Sequence, residues 1–263
     1  MEHRLYIIEG LPCSGKSTVS SRLASALEDR ISENRKKVCF VDEGTGDHPA
    51  DYEFHAYAPA GLISEKPEIV PLSQYEGEML EKLLPYKIYD FLPWDTEKPL
   101  MLDKWRQFVS EADPDTIYVF NCVFLQNPMC ETMMRFNFAE SKSLAYIREI
   151  AEIITPLDPV IIYLKNDDIA NSIEKAAKER PGWLEGVIDY HVNGAYGKSI
   201  HAQGLEGYIE CLKERQRREL RILDRLTRSK TNEALSATAL VLDNPQRDWH
   251  AAEAEIDTSL KSI

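Results

Sequence analysis

Paired cysteines are missing from this sequence. Its five cysteines (Cys13, Cys39, Cys122, Cys130 and Cys211) form no C-x-x-C pair, which argues for a reduced, intracellular chain over a disulfide framework. Histidines at metal spacing are missing too: His191 and His201 have no second ligand at such a spacing, so no zinc site is expected. The first apolar run, residues 5–8, is far too short for a signal or a membrane span. The chain is therefore read as cytoplasmic, with no membrane partner. Positive charge is in deficit, with 31 Lys and Arg against 44 Asp and Glu and a net charge of −13. That balance argues against a nucleic-acid footprint, although it permits a local basic pocket. There is no internal repeat, no low-complexity tract and no N-K-x-D base-reading element.

What the sequence does have is an alternation of short apolar strands with helices. Strands are expected at residues 4–9, 37–42, 116–122, 160–164 and 238–242, bounded by turns such as Asp113-Pro114-Asp115 and Asp158-Pro159. Helices are expected at about 16–32, 141–154, 167–179, 205–228 and 248–261. Near-continuous apolar strands separated by helices imply an α/β fold with a parallel sheet covered on both faces. Its ligands would gather at the C-terminal strand ends. With 263 residues the chain suits a single α/β domain with insertions. Residues 43–113 are too long for a simple crossover and read as an inserted substrate-side region, with helices at 74–84 and 100–112. Five glycines within 181–204 suggest a mobile flap, or lid, over 180–204.

The stretch EGLPCSGKST, residues 9–18, matches G-x-x-x-x-G-K-[ST]. It follows a strand and opens a helix, which is the setting a phosphate-binding loop needs. Backbone N–H groups along Gly10, Pro12, Cys13, Ser14, Gly15, Lys16, Ser17 and Thr18 (proline excepted) would wrap phosphates at a helix N-terminus. Lys16 would reach the β- and γ-phosphates, and Ser17 would coordinate Mg²⁺.

The segments YIIEGLPCSGKSTVSSRLASAL, PVIIYLKNDDIANSIEKAAKER and ALVLDN carry a resemblance. On them the chain resembles the P-loop nucleoside and nucleotide kinases, especially the thymidylate and deoxynucleoside kinases. The resemblance implies a P-loop NTPase fold with strand order 2-3-1-4-5, Mg-ATP as cofactor, and adenine as its base. It implies γ-phosphoryl transfer to a small-molecule acceptor, a nucleoside, nucleotide or similar hydroxyl metabolite. Kinases of this group are often homodimers. They usually carry an Asp-Arg pair after the third strand, whereas this chain has Asn121-Cys122. Glu43 is then the first choice for base, with Asp42, Asp47 and His48 as alternatives, and Asp42 is also a candidate ligand to the metal. Asn121 is a candidate contact to substrate or to a metal-bound water, and Asp51 reads as an ordinary loop acid.

Charge for the transferring phosphoryl must come from arginines. Arg180 ends a helix at the position of the kinase lid. Arg215, Arg217, Arg218, Arg221, Arg225 and Arg228 lie on one helix, where most should be solvated or paired with Glu214, Glu219 and Asp224. Arg215 is the member of that set expected to face substrate. A second function class stays open, an ATPase or nucleotide-dependent switch acting on a protein partner. VCFVDE, residues 38–43, reads equally as the paired-acid strand of such a machine.

Overall fold

The computed structural model describes residues 3–31, 36–180, 182–227 and 238–262. Strand β1 (Leu5–Gly10) is buried along its whole length, as a central strand covered on both faces must be. It leads into α1 (Lys16–Ile31), which turns Val19, Leu23, Leu27 and Ile31 inward at four-residue spacing, and then into β2 (Lys37–Val41). The long interval that follows holds β3 (His55–Ala58), β4 (Glu68–Pro71), α2 (Gly77–Leu83), the distorted turn α3 (Ile88–Phe91) and α4 (Trp94–Glu111). After β5 (Thr116–Asn121), α5 (Gln126–Met129) runs directly into a π-helical turn at Cys130–Arg135. Then come α6 (Glu140–Ile154), β6 (Pro159–Lys165) and α7 (Ile169–Glu179). The last elements are α8 (Trp183–Val192), α9 (Ala195–Ser199), α10 (Gly204–Thr227), β7 (Thr238–Asp243) and α11 (Trp249–Ser262).

Five strands form one parallel sheet in the order β2-β5-β1-β6-β7. Counted along the chain within that sheet, the order is 2-3-1-4-5, with the first strand central, and the fold is that of an α/β P-loop NTPase. On one face Tyr6, Ile8, Val119, Ile162 and Leu242 pack with Val19, Leu23 and Leu27 of α1 and with Ala252 and Ile256 of α11. Strand residues of the opposite parity, Leu5, Ile7, Phe120, Ile161 and Tyr163, are equally buried. Because all five strands run the same way, Gly10, Val41, Asn121, Lys165 and Asp243 end at one edge of the sheet. That edge is where the site is built.

The chain divides into two compact units, residues 1–43 with 113–263, and residues 44–112. The second unit is less helical than its sequence suggests. It contains the antiparallel hairpin β3–β4, closed over Ala56, Ala58, Val70, Leu72 and Leu83. Alternation over only four residues, ending in Pro71, left that hairpin without a clear pattern. Helix α4 starts at Trp94, six residues earlier than expected, and continues through Pro99. A proline so near the helix start removes a single ladder bond, which packing of Trp94, Met101, Leu102, Trp105 and Phe108 outweighs.

The glycine-rich stretch read as a flap contains two helices, α8 and α9. A Cβ on Gly194 would strike the Met134 carbonyl, and one on Gly197 would strike Val192. Those two glycines permit close packing, whereas a Cβ on Gly182, Gly186 or Gly204 would meet nothing within 4 Å. Leu184, Val187, Ile188 and Val192 of α8 join Leu11, Ile169, Ile173, Tyr208 and Leu212 in one apolar cluster. Pro181 and Arg228 lie outside the described residues.

Candidate active site

Backbone strain shapes the loop after β1. Gly10, Cys13 and Gly15 have φ values of 146°, 65° and 93°, and the two glycines are required for space as well. A side chain on Gly10 would meet the Leu164 carbonyl, and one on Gly15 would run into the Trp249 ring. Leu11 is sunk in the cluster with α7, α8 and α10, which ties the loop down at its first turn. Pro12 and Cys13 are half-buried, while Ser17 and Thr18 are exposed at the start of α1. The Ser14 hydroxyl is buried without a hydrogen-bond partner among the described residues. Lys16 curls back, its Nζ donating to the Leu11 carbonyl at 3.1 Å. Its ammonium is thus stored along the loop that would hold the phosphates.

At the neighbouring strand ends, Asn121 from β5 joins Ser17 to Asp42. Its Nδ2 donates to Asp42 Oδ1 at 2.6 Å and to Ser17 Oγ at 3.2 Å. Asn121 is 2% exposed, and its Oδ1 has no partner among the described residues. A hydroxyl, a carboxylate and an amide oxygen in one place are hard oxygen donors of the kind Mg²⁺ prefers. Among the described residues no group of three or more His, Cys, Asp or Glu side chains is placed to hold a metal ion.

Glu43, next to Asp42, is exposed, and its Oε1 accepts from Gln126 Nε2 at 2.6 Å. The Cys122 thiol also hydrogen-bonds it; burial first, and then Glu43 and Glu9, keep that thiol protonated well above its ordinary range. Cys122 itself has φ 54°, so β5 ends in a sharp turn that brings these side chains together.

Beneath this surface lies a buried network. Glu9, the last side chain of β1, accepts from three consecutive backbone N–H groups: Phe124 at 2.6 Å, Leu125 at 2.8 Å and Gln126 at 3.1 Å. It thereby fixes the β5–α5 turn and with it the root of Gln126. Burial raises its pKa to about 7 against the pull of those amides, and Glu219 adds to the rise. Arg215, 1% exposed on α10, lies 2.9 Å from Glu219 and donates to the Gly10 carbonyl at 3.4 Å. Burial opposes its charge, but Glu219 more than compensates, and the guanidinium stays ionised. Tyr163 donates to the other Glu219 oxygen at 2.6 Å. The same arginine reaches Cys130 Sγ at 3.3 Å.

The sequence-expected residues therefore separate into groups. Lys16, Ser17, Asp42, Glu43 and Asn121 meet at one sheet edge. Arg215 belongs to the interior below the loop, engaged by Glu219. Arg180, exposed at the end of α7, lies close enough to Cys13 for its charge to act on that thiol, which burial raises and Arg180 and Lys16 pull down. The other arginines of α10 are largely occupied: Arg217 and Arg218 with Glu214, and Arg221 with Glu140. Asp47 and His48 belong to the second unit. There His48 is 5% exposed, its Nδ1 accepts the Ala50 N–H at 3.1 Å, and burial and Lys104 lower its pKa to about 4. Asp51, also buried, accepts from Tyr89 at 2.5 Å.

Gln126, Trp249 and the Glu9–Arg215–Glu219 network were not singled out from the sequence. The Arg215–Glu219 spacing of four residues on a helix was a visible signal for that pair. Nothing local marks Gln126. No protein-family model and no curated protein sequence matches the chain. Among solved structures it is similar to the thymidylate kinase from Candida albicans. That likeness has 12% identity and a TM-score of 0.44, and covers 98% of this chain and 93% of the other.

Proposed function

We propose that this chain is an ATP-dependent phosphotransferase that moves the γ-phosphoryl of Mg-ATP to a hydroxyl of a small-molecule acceptor. The observation that carries the reading is the placement of Glu43 beside the Ser17–Asn121–Asp42 cluster, at the mouth of the phosphate loop. A cation donor set and a candidate base thus share one edge of the sheet. Loop N–H groups and the α1 N-terminus bind the phosphates, and Lys16 leaves the Leu11 carbonyl to reach the β- and γ-oxygens. Ser17 and Asp42 would hold Mg²⁺, with Asn121 accepting from its hydration shell; the ion, when bound, offsets charge on the phosphates. Glu43 orients the acceptor hydroxyl and takes its proton as the new P–O bond forms.

Arg180 supplies charge to the moving phosphoryl from the end of α7, and α7 with α8 forms the lid side of the site. Arg215 acts indirectly, holding the Gly10 carbonyl from below. Adenine is the base expected on the resemblance drawn from the sequence.

The rival reading, an ATPase or switch driving a protein partner, would use Asp42 and Glu43 to activate water. Following ATP loss while screening hydroxylated metabolites, nucleosides and nucleotides separates the two. Acceptor-dependent formation of a phosphorylated product supports the kinase. Steady ATP hydrolysis that no acceptor alters would defeat it.

A further inference from the structure

Gln126 has an orientation that chemistry dictates. A carboxylate only accepts, so the end of the amide facing Glu43 Oε1 at 2.6 Å must be the nitrogen. The amide oxygen therefore points away from Glu43, and it has no partner among the described residues although Gln126 is only 7% exposed. Its backbone is equally fixed, since the Gln126 N–H donates to Glu9. A buried carbonyl oxygen held rigidly with no donor is costly unless something binds there and supplies one.

The charge around this oxygen is one-sided. Glu43 accepts from the nitrogen of the same amide, and Glu9 accepts from the Gln126 backbone N–H. Lys16 and Arg215 of the same unit are already engaged, by the Leu11 carbonyl and by Glu219. A phosphate monoester placed against Gln126 would thus meet acceptor oxygens and carboxylates. A hydroxyl or N–H would meet the partners it needs.

Resting on the kinase reading, we propose that the acceptor is an uncharged hydroxylated compound, with Gln126 Oε1 receiving a hydrogen bond from it while Glu43 takes the reacting hydroxyl. Gln126 is then a specificity residue that selects neutral parents over their monophosphates.

Calorimetry tests this on the full chain loaded with Mg²⁺ and the ATP analogue AMP-PNP. The probes are uridine, thymidine, adenosine and ribose, each paired with its 5′-monophosphate or 5-phosphate. At least one neutral probe should bind at least tenfold tighter than its phosphorylated partner. Gln126→Met should weaken that probe at least tenfold while leaving AMP-PNP affinity unchanged, and Gln126→Asn provides a second variant if the first does not fold. Tighter binding of a monophosphate overturns the proposal, as does failure of every neutral probe, or a Gln126 variant that binds like wild type. Failure of the kinase reading looks different, because no probe of either kind would then bind and wild type would hydrolyse ATP at a rate that no acceptor alters.

Discussion

Replacing Arg215 with methionine removes the guanidinium and keeps most of its volume. Arg215 and Glu219 are 1% and 0% exposed as side chains, with 2.9 Å between Nε and Oε1. Without the arginine, the Glu219 carboxylate keeps the Tyr163 hydroxyl at 2.6 Å as a donor, and Glu9 repels it. Breaking a buried ion pair from one side costs about 3–5 kcal/mol, whereas replacing both partners by apolar groups is often neutral. At about 2–4 °C per kcal/mol for a chain of this size, Arg215→Met should lower the melting temperature by ~6–20 °C. Arg215→Met with Glu219→Leu should recover most of that loss. The double variant still lacks the donor to the Gly10 carbonyl. A charge-assisted hydrogen bond contributes about 1.5 kcal/mol, so its affinity for Mg-AMP-PNP should remain roughly tenfold weaker. Thermal unfolding by circular dichroism and calorimetry of the analogue read the two effects separately. A single variant losing less than about 1 kcal/mol, or a double variant no more stable than the single, would refute the reasoning.

Three further outcomes are expected. Glu9 keeps its proton in the native state up to about pH 7, whereas the unfolded chain releases it near 4.5. It therefore adds stability that is fully present below pH 4.5 and lost by pH 7, about 3 kcal/mol in all. Glu9→Gln should flatten that part of the stability–pH curve, and an unchanged slope in urea titrations across this window contradicts the assignment. Glu43→Gln should lower kcat by roughly a hundredfold or more with little change in nucleotide affinity, as loss of a general base does; near-normal turnover would return the role to Asp42 or His48. Arg180→Ala should likewise reduce kcat by about a hundredfold or more while the analogue still binds, since its contact strengthens in the transition state. Equal losses in kcat and affinity would count against that role.

The sheet was legible because its strands are short, apolar on both faces and separated by turn residues, a pattern that only a covered parallel sheet sustains. The strand–loop–helix setting of residues 9–18 was legible because it lies within ten consecutive residues. Arg215 shows the limit of such reading. Its place on a charged helix suggested a side chain facing substrate or paired along the helix; the Glu219 partner lies only four residues on, but the approach to the Gly10 carbonyl depends on a contact 205 residues apart in sequence. Gln126 was invisible for the same reason: its partners Glu9 and Glu43 come from two other strand ends. Glycine was ambiguous, since it serves both mobility and close approach, and Gly194 and Gly197 turned out to serve the second.

Calorimetric titration of the full chain and of Lys16→Ala with AMP-PNP and Mg²⁺ tests the central claim most directly. Wild type should bind in a Mg²⁺-dependent manner, and the substitution should weaken that binding at least a hundredfold, because Lys16 supplies charge to the β- and γ-phosphates that no neighbour replaces. Absence of heat from wild type at millimolar nucleotide, or equal binding by the variant, would contradict it.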